Sequence, residues 1–166
     1  SDDGPFAFTQ AQLNNFTLSN GLIKTLAKVQ GNYSLALSGV STNNLNLLSN
    51  ANLVLNPGEQ DPFTISTSKI KSIAISDTSQ NISLAFDQLI NLGSRVNSLT
   101  LSDISAPIAL TPTQLSNGSG LLSSITGALP YHLALINAKV DDVLSLSNTP
   151  AKWAKIDTVG IVDTAN

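Results

Sequence analysis

Three stretches of this chain occur twice in the same order, and that duplication restricts the fold more than any other feature. Pro5–Asn15 (PFAFTQAQLNN) returns as Pro107–Asn117 (PIALTPTQLSN). Tyr33–Val40 (YSLALSGV) returns as Tyr131–Ala138 (YHLALINA), and Lys69–Thr78 (KIKSIAISDT) returns as Lys155–Thr164 (KIDTVGIVDT). The pairs are identical at 6 of 11, 4 of 8 and 5 of 10 positions. Their separations are 102, 98 and 86 residues, so the unit is near 100 residues and the length changes fall in connections. The largest change lies around Asn56-Pro57-Gly58-Glu59-Gln60-Asp61-Pro62, a loop by its Pro and Gly content. Residues 1–102 thus read as a first repeat unit of about three strand–helix coils and 103–166 as a second, truncated one. Both belong to one continuous structural domain. Ser1-Asp2-Asp3-Gly4 has neither the basic nor the apolar part of a signal peptide, and the second unit is incomplete. The sequence reads as a piece of a longer protein.

Five segments share the pattern apolar-x-apolar-x-(Asp/Asn/Gly). They are Leu35-x-Leu37-x-Gly39, Ile73-x-Ile75-x-Asp77, Leu99-x-Leu101-x-Asp103, Leu133-x-Leu135-x-Asn137 and Val159-x-Ile161-x-Asp163. Such alternation marks strands with one buried face. The strands begin 26 to 38 residues apart, too far for hairpins and far enough for crossovers. Helical signals fill the gaps. Ile82, Phe86, Leu89 and Ile90 make one helical face that Gly93 can end. Thr111-Pro112-Thr113-Gln114 is a capping box with Pro in the first turn, and Thr9 and Gln12 repeat its spacing. Gly118 and Gly120 interrupt the helix that follows, Asp141 or Asp142 opens another, and Thr149-Pro150 opens one containing Trp153. The fold expected is a right-handed α/β solenoid, with one parallel sheet in sequential strand order and short crossover helices. A compact open parallel α/β sheet satisfies the same pattern.

Composition narrows the function classes. Charged residues make up 11% of the chain against about 25% in ordinary domains, while Ser, Thr and Asn supply about a third. A net charge of −3 with scattered lysines offers no basic stripe for nucleic acid. Absence of cysteine excludes disulfides, thiol catalysis and zinc–thiolate sites. No run of about 18 apolar residues is present, so no membrane insertion is expected.

Few residues carry chemistry. His132 is the only histidine, lies on a strand where the first repeat has Ser34, and reads as an outward, neutral side chain. No Gly-x-Ser-x-Gly elbow exists, since Gly118-Ser119-Gly120 has the wrong spacing, and no catalytic residue or cofactor site is assigned. Asp77, Asp103 and Asp163 share a place at strand ends, where stacked carboxylates could hold calcium with its six to eight oxygens. Gly39 and Asn137 hold that place in the other strands, which favours turn and cap acceptors over a metal. Capping is likewise the reading for Asp141-Asp142, whose repeat partners are Asn43-Asn44. Tyr33 and Tyr131 read as packing residues. Trp153 lacks a repeat partner and is the best single candidate for a ligand contact, although its apolar area favours burial.

Tyr33 and Tyr131 leading strands, the segments Ile70–Ile82 and Ile156–Asn166, and the strand Asn97–Asp103 together resemble the β-strand-repeat regions of giant bacterial secreted and surface proteins. Those regions carry a V-x-S-I-x-V-x-D-T-A-x-N-I segment, an amphipathic helix and an S-I-T-L-T-D strand. The resemblance implies a type I secretion substrate, an adhesin or a surface-layer component, outside the cell or on its surface, and some such proteins bind calcium. The function expected is a non-catalytic spacer or assembly module whose partners are neighbouring repeats or copies of itself. The alternative is an adhesin module that binds a surface glycan, with or without calcium.

Overall fold

The computed structural model describes residues 5–14, 33–55, 63–126, 130–149 and 153–162. The chain divides into two compact units, Ser1–Ser76 with Ser94–Ser98, and Asp77–Gly93 with Leu99–Asn166. The loop expected at 56–62 lies outside the described residues, as does Asp163.

The first unit starts with strand β1 (Phe6–Thr9), helix α1 (Gln10–Asn14), β2 (Leu35–Val40) and α2 (Leu45–Ser49). A hairpin of β3 (Asn52–Leu55) and β4 (Phe63–Ser66) precedes β5 (Ile70–Asp77). The second unit opens with α3 (Ser79–Leu84) and α4 (Phe86–Leu92), and the chain then runs through β6 (Val96–Leu101). Next come β7 (Ile108–Leu110), α5 (Pro112–Asn117), α6 (Ser119–Ser123) and β8 (Ile125–Thr126). The described chain closes with β9 (Leu133–Ala138), α7 (Val140–Ser147) and β10 (Ile156–Ile161).

This is an α/β fold with parallel sheets. All five expected strands form, as β2, β5, β6, β9 and β10. They do not share one sheet, which corrects the single-sheet expectation. A five-stranded sheet has the order β1-β2-β5-β6-β8 and a three-stranded sheet the order β7-β9-β10, each sequential, and β3-β4 is an antiparallel pair. Alternation marks a strand and its buried face but says nothing about which strand becomes its neighbour. The strands β1, β7 and β8 escape detection because two to four residues are too few for a periodic signal.

The duplicated stretches adopt closely similar local structure, although β1 extends one residue further than β7. In the first copy Phe6, Ala7 and Phe8 pair with Leu35, Ala36 and Leu37; in the second Ile108, Ala109 and Leu110 pair with Leu133, Ala134 and Leu135. Leu35, Ser72, Ile73 and Ile75 of the first copy correspond to Leu133, Thr158, Val159 and Ile161 of the second, because the β2–β5 and β9–β10 registers coincide throughout. Even the irregularities match. Leu37 pairs with Ile73 but the next partner of β5 is Val40, and Leu135 pairs with Val159 but the next partner of β10 is Ala138. The skipped residues form a bulge containing Gly39 at φ +64 and Asn137 at φ +54. Glycine enters this left-handed region freely and asparagine at modest cost. The extra residue returns Val40 and Ala138 to the buried side, and both are 0% exposed. Gly39 and Asn137 are therefore bulge residues inside strands. They are not level with Asp77, as the simple pattern had aligned them; by register Asp77 follows Ile75 as Thr42 follows Val40.

Eight of the ten residues expected in the core are buried: Leu35, Leu37, Ile73, Ile75, Leu99, Leu101, Leu133 and Leu135. Val159 is half-buried and Ile161 is 53% exposed, a departure with a simple cause. Among the described residues β10 is the outermost strand of its sheet. Its first-copy counterpart β5 is flanked on both sides, by β2 and β6.

Helix ends follow the sequence closely. Thr111 accepts from the Gln114 amide and Gln114 returns to the Thr111 amide, and Thr9 and Gln12 make the same exchange. Gly93 ends α4 at φ +59, and its amide donates to the Ile90 carbonyl. The chain breaks between α5 and α6 at Gly118, where a Cβ would stand 2.3 Å from the buried Phe86 ring; Gly120 lies within α6. Helix α7 starts one residue before Asp141, with Lys139 as its N-cap.

Candidate functional site

The polar network around the start of α3 is the most elaborate among the described residues. Thr78 caps α3 by accepting from the Asn81 amide at 3.1 Å. Asp77, 8% exposed, accepts through Oδ1 from the Thr78 amide at 2.9 Å and from Asn81 Nδ2 at 2.7 Å. Asp103 Oδ1 accepts from the amide and hydroxyl of Ser79 at 3.4 and 3.2 Å. Ser79 is 1% exposed, and its carbonyl accepts from Ser83 Oγ, which itself accepts from the Ala109 amide at 2.8 Å. The Ser102 amide completes the set by donating to the Asp77 carbonyl at 2.8 Å. Strand exit strips backbone amides of their ladder partners, and these side chains supply replacements.

The structure thus brings Asp77 and Asp103 to one helix start, as turn and cap acceptors engaged with amide and hydroxyl donors. Among the described residues no three acidic or histidine side chains gather into a metal-binding group. No buried side-chain nitrogen or oxygen among them lacks a hydrogen-bond partner.

His132 stands just before β9, not on the strand as expected; it is half-exposed, and its Nδ1 lies 2.9 Å from the carboxylate of Asp157 on β10. The equivalent positions in the first copy are Ser34 and Lys71. Tyr33 and Tyr131 have their ring faces covered by lysines one strand over, Lys69 at 4.9 Å and Lys155 at 3.9 Å from the centroids. Phe6 meets the Tyr33 ring edge-on at 6.3 Å. These tyrosines are packing residues, as expected.

Trp153 is half-buried, intermediate between the two outcomes weighed for it. It does have a repeat counterpart by register, Thr67, since both stand three residues before the first paired residue of β10 or β5. Thr67 uses its hydroxyl on the Asn50 and Ala51 carbonyls, whereas Trp153 donates its amide to the Thr149 carbonyl. A groove of about 280 Å³, not anticipated from sequence, runs between α5 and α7 and is lined by Pro112, Leu115, Asp142, Ser145, Leu146 and Thr149. Asp142 is anchored there by the Lys139 amide at 2.9 Å, a capping contact made from the third helical position, whereas the helix opening expected at Asp141 or Asp142 falls to Lys139. Asn44, its counterpart, ends the turn Thr42–Asn44, which Ser41 caps instead.

No helix among the described residues is long and apolar enough to cross a membrane. Comparison with protein-family models, curated proteins and solved structures found no match to this chain.

Proposed function

We propose that this chain is a non-catalytic structural repeat module of a large secreted or surface-attached bacterial protein, in which α/β coils stack as a solenoid and act as spacer and assembly unit. One observation carries the reading: the two copies share the bulge, the Thr–Gln cap and the register of their paired strands. Duplication that preserves main-chain pairing is what a protein gains when it lengthens by copying a unit that packs on its neighbours. Asp77, Asp103, Asp142 and Asp157 are engaged in local capping and pairing, which suits a scaffold. Antibodies raised against this chain should label intact cells of the source bacterium and detect a polypeptide far larger than 17.3 kDa. A small product protected from protease in intact cells would overturn the proposal.

Adhesion is the second reading, and the half-exposed Trp153 beside α7 favours it, since an indole face can stack on a sugar. Binding on a glycan array that is lost in Trp153→Ala would put this reading first.

A further inference from the structure

We propose that β10 is an acceptor edge built to receive one particular occupant, a helix–strand segment of the type formed by residues 78–101. The proposal rests on the repeat reading above and deepens it by naming the partner. Strands β5 and β10 are equivalent, since each is laid against its inner neighbour with the same register and the same bulge. Their outer sides differ. The next strand beyond β5 is β6, reached through α3 and α4, and Ile73 and Ile75 are 0% and 1% exposed. Among the described residues no strand lies beyond β10, and Ile161, which stands where Ile75 does, is 53% exposed.

In the same chain, the same strand in the same register has β6 as its next neighbour in the sheet. The buried apolar set of the 78–101 segment includes Ile82, Phe86, Leu89, Val96, Leu99 and Leu101. The irregularity of β10 at Asp157 recurs at Lys71 in β5, which has a strand on both sides. β10 contains neither proline nor lysine, and Asp157, its one charge, is engaged by His132. Addition of a parallel strand would satisfy its outward amides and carbonyls by the pairing β5 already makes.

The test is an extended chain. Asp163-Thr164 repeats Asp77-Thr78, so a copy of residues 81–103 appended after Asn166 continues the repeat in frame. The amides of 156–161 should exchange about tenfold more slowly than in a chain carrying the same 23 residues shuffled, as a paired strand exchanges more slowly than an open one. Ile161→Asp should abolish this protection in the extended chain and change exchange in the parent by no more than about twofold. Should the extended chain not fold, a peptide of residues 77–103 added to the parent chain supplies the same readout. Equal protection by the shuffled extension, or none by the matched one, overturns the proposal. So does concentration-dependent self-association of the parent that already protects β10, which would make a second whole copy the occupant. Cell-surface labelling tests the spacer reading and can fail independently of these exchange measurements.

Discussion

The first copy of the repeat, from Pro5 to Asp77, and the second, from Pro107 to Val162, have the same strand pairing and different burial. Leu45 and Leu48 of α2 are 0% and 4% exposed, whereas their counterparts Val143 and Leu146 on α7 are only half-buried. The first copy has the β3–β4 hairpin directly after α2, with β3 packed against that helix, and β6 beside β5. Among the described residues the second copy has no hairpin between α7 and β10, and Val140 and Leu144 stand 42% and 58% exposed. The difference teaches that register and caps travel with the local sequence, while burial depends on which neighbours the chain supplies.

The comparison breaks most readily in the core. Ile75→Ala should cost about 2–5 kcal/mol, the loss for a large side chain removed from a packed site. Ile161→Ala, at the equivalent place, should stay within about 0.5 kcal/mol, as for ordinary surface changes. Urea unfolding of both variants decides the matter, and equal losses would mean that β10 is as well covered as β5.

The bulges come next. Gly39→Val should lower stability by about 1–2 kcal/mol because a β-branched residue is strained at φ +64. Asn137→Gly should be neutral or stabilising at φ +54, since glycine enters that region without strain. Thermal unfolding that reverses this order would show that the bulges do not need the left-handed conformation.

Caps should give smaller and equal effects. Thr9→Ala and Thr111→Ala each remove the side-chain acceptor of a capping box and should each cost about 1 kcal/mol in denaturant unfolding. A loss at only one site would separate copies whose hydrogen bonds are alike.

The smallest expected effect is none. Calcium should produce no heat on titration and chelator no shift in unfolding temperature, because Asp77 and Asp103 already accept from Thr78, Asn81 and Ser79. A calcium-dependent shift abolished by Asp103→Asn would reassign the α3 start as a cation site.

Much of the local structure was legible in the sequence. Thr111 and Gln114 specify their cap through short-range hydrogen bonds that depend on nothing beyond one helical turn. Leu35, Leu37, Leu133 and Leu135 declare their buried face by alternation. The candidate site was half legible: Asp77 and Asp103 were recognisable as strand-end acceptors, but nothing in their spacing shows that both serve the same helix start. Ser79 could not be singled out, since its hydrogen-bond partners Asp103 and Ser83 lie 24 and 4 residues away in the chain.

The sequence by itself determined that the chain repeats, where its longer strands run and how the helices after Thr9 and Thr111 are capped. All of these depend on interactions within a few residues, so the residue string encodes them directly. Tertiary structure decided the division of strands between two sheets, the bulge-shifted register that sets Val40 opposite Ile75, the His132–Asp157 pairing and the exposure of Ile161. Each of these depends on which distant segment lies alongside. Alternation fixes the face a side chain takes, and the neighbouring strand or helix fixes whether that face is covered.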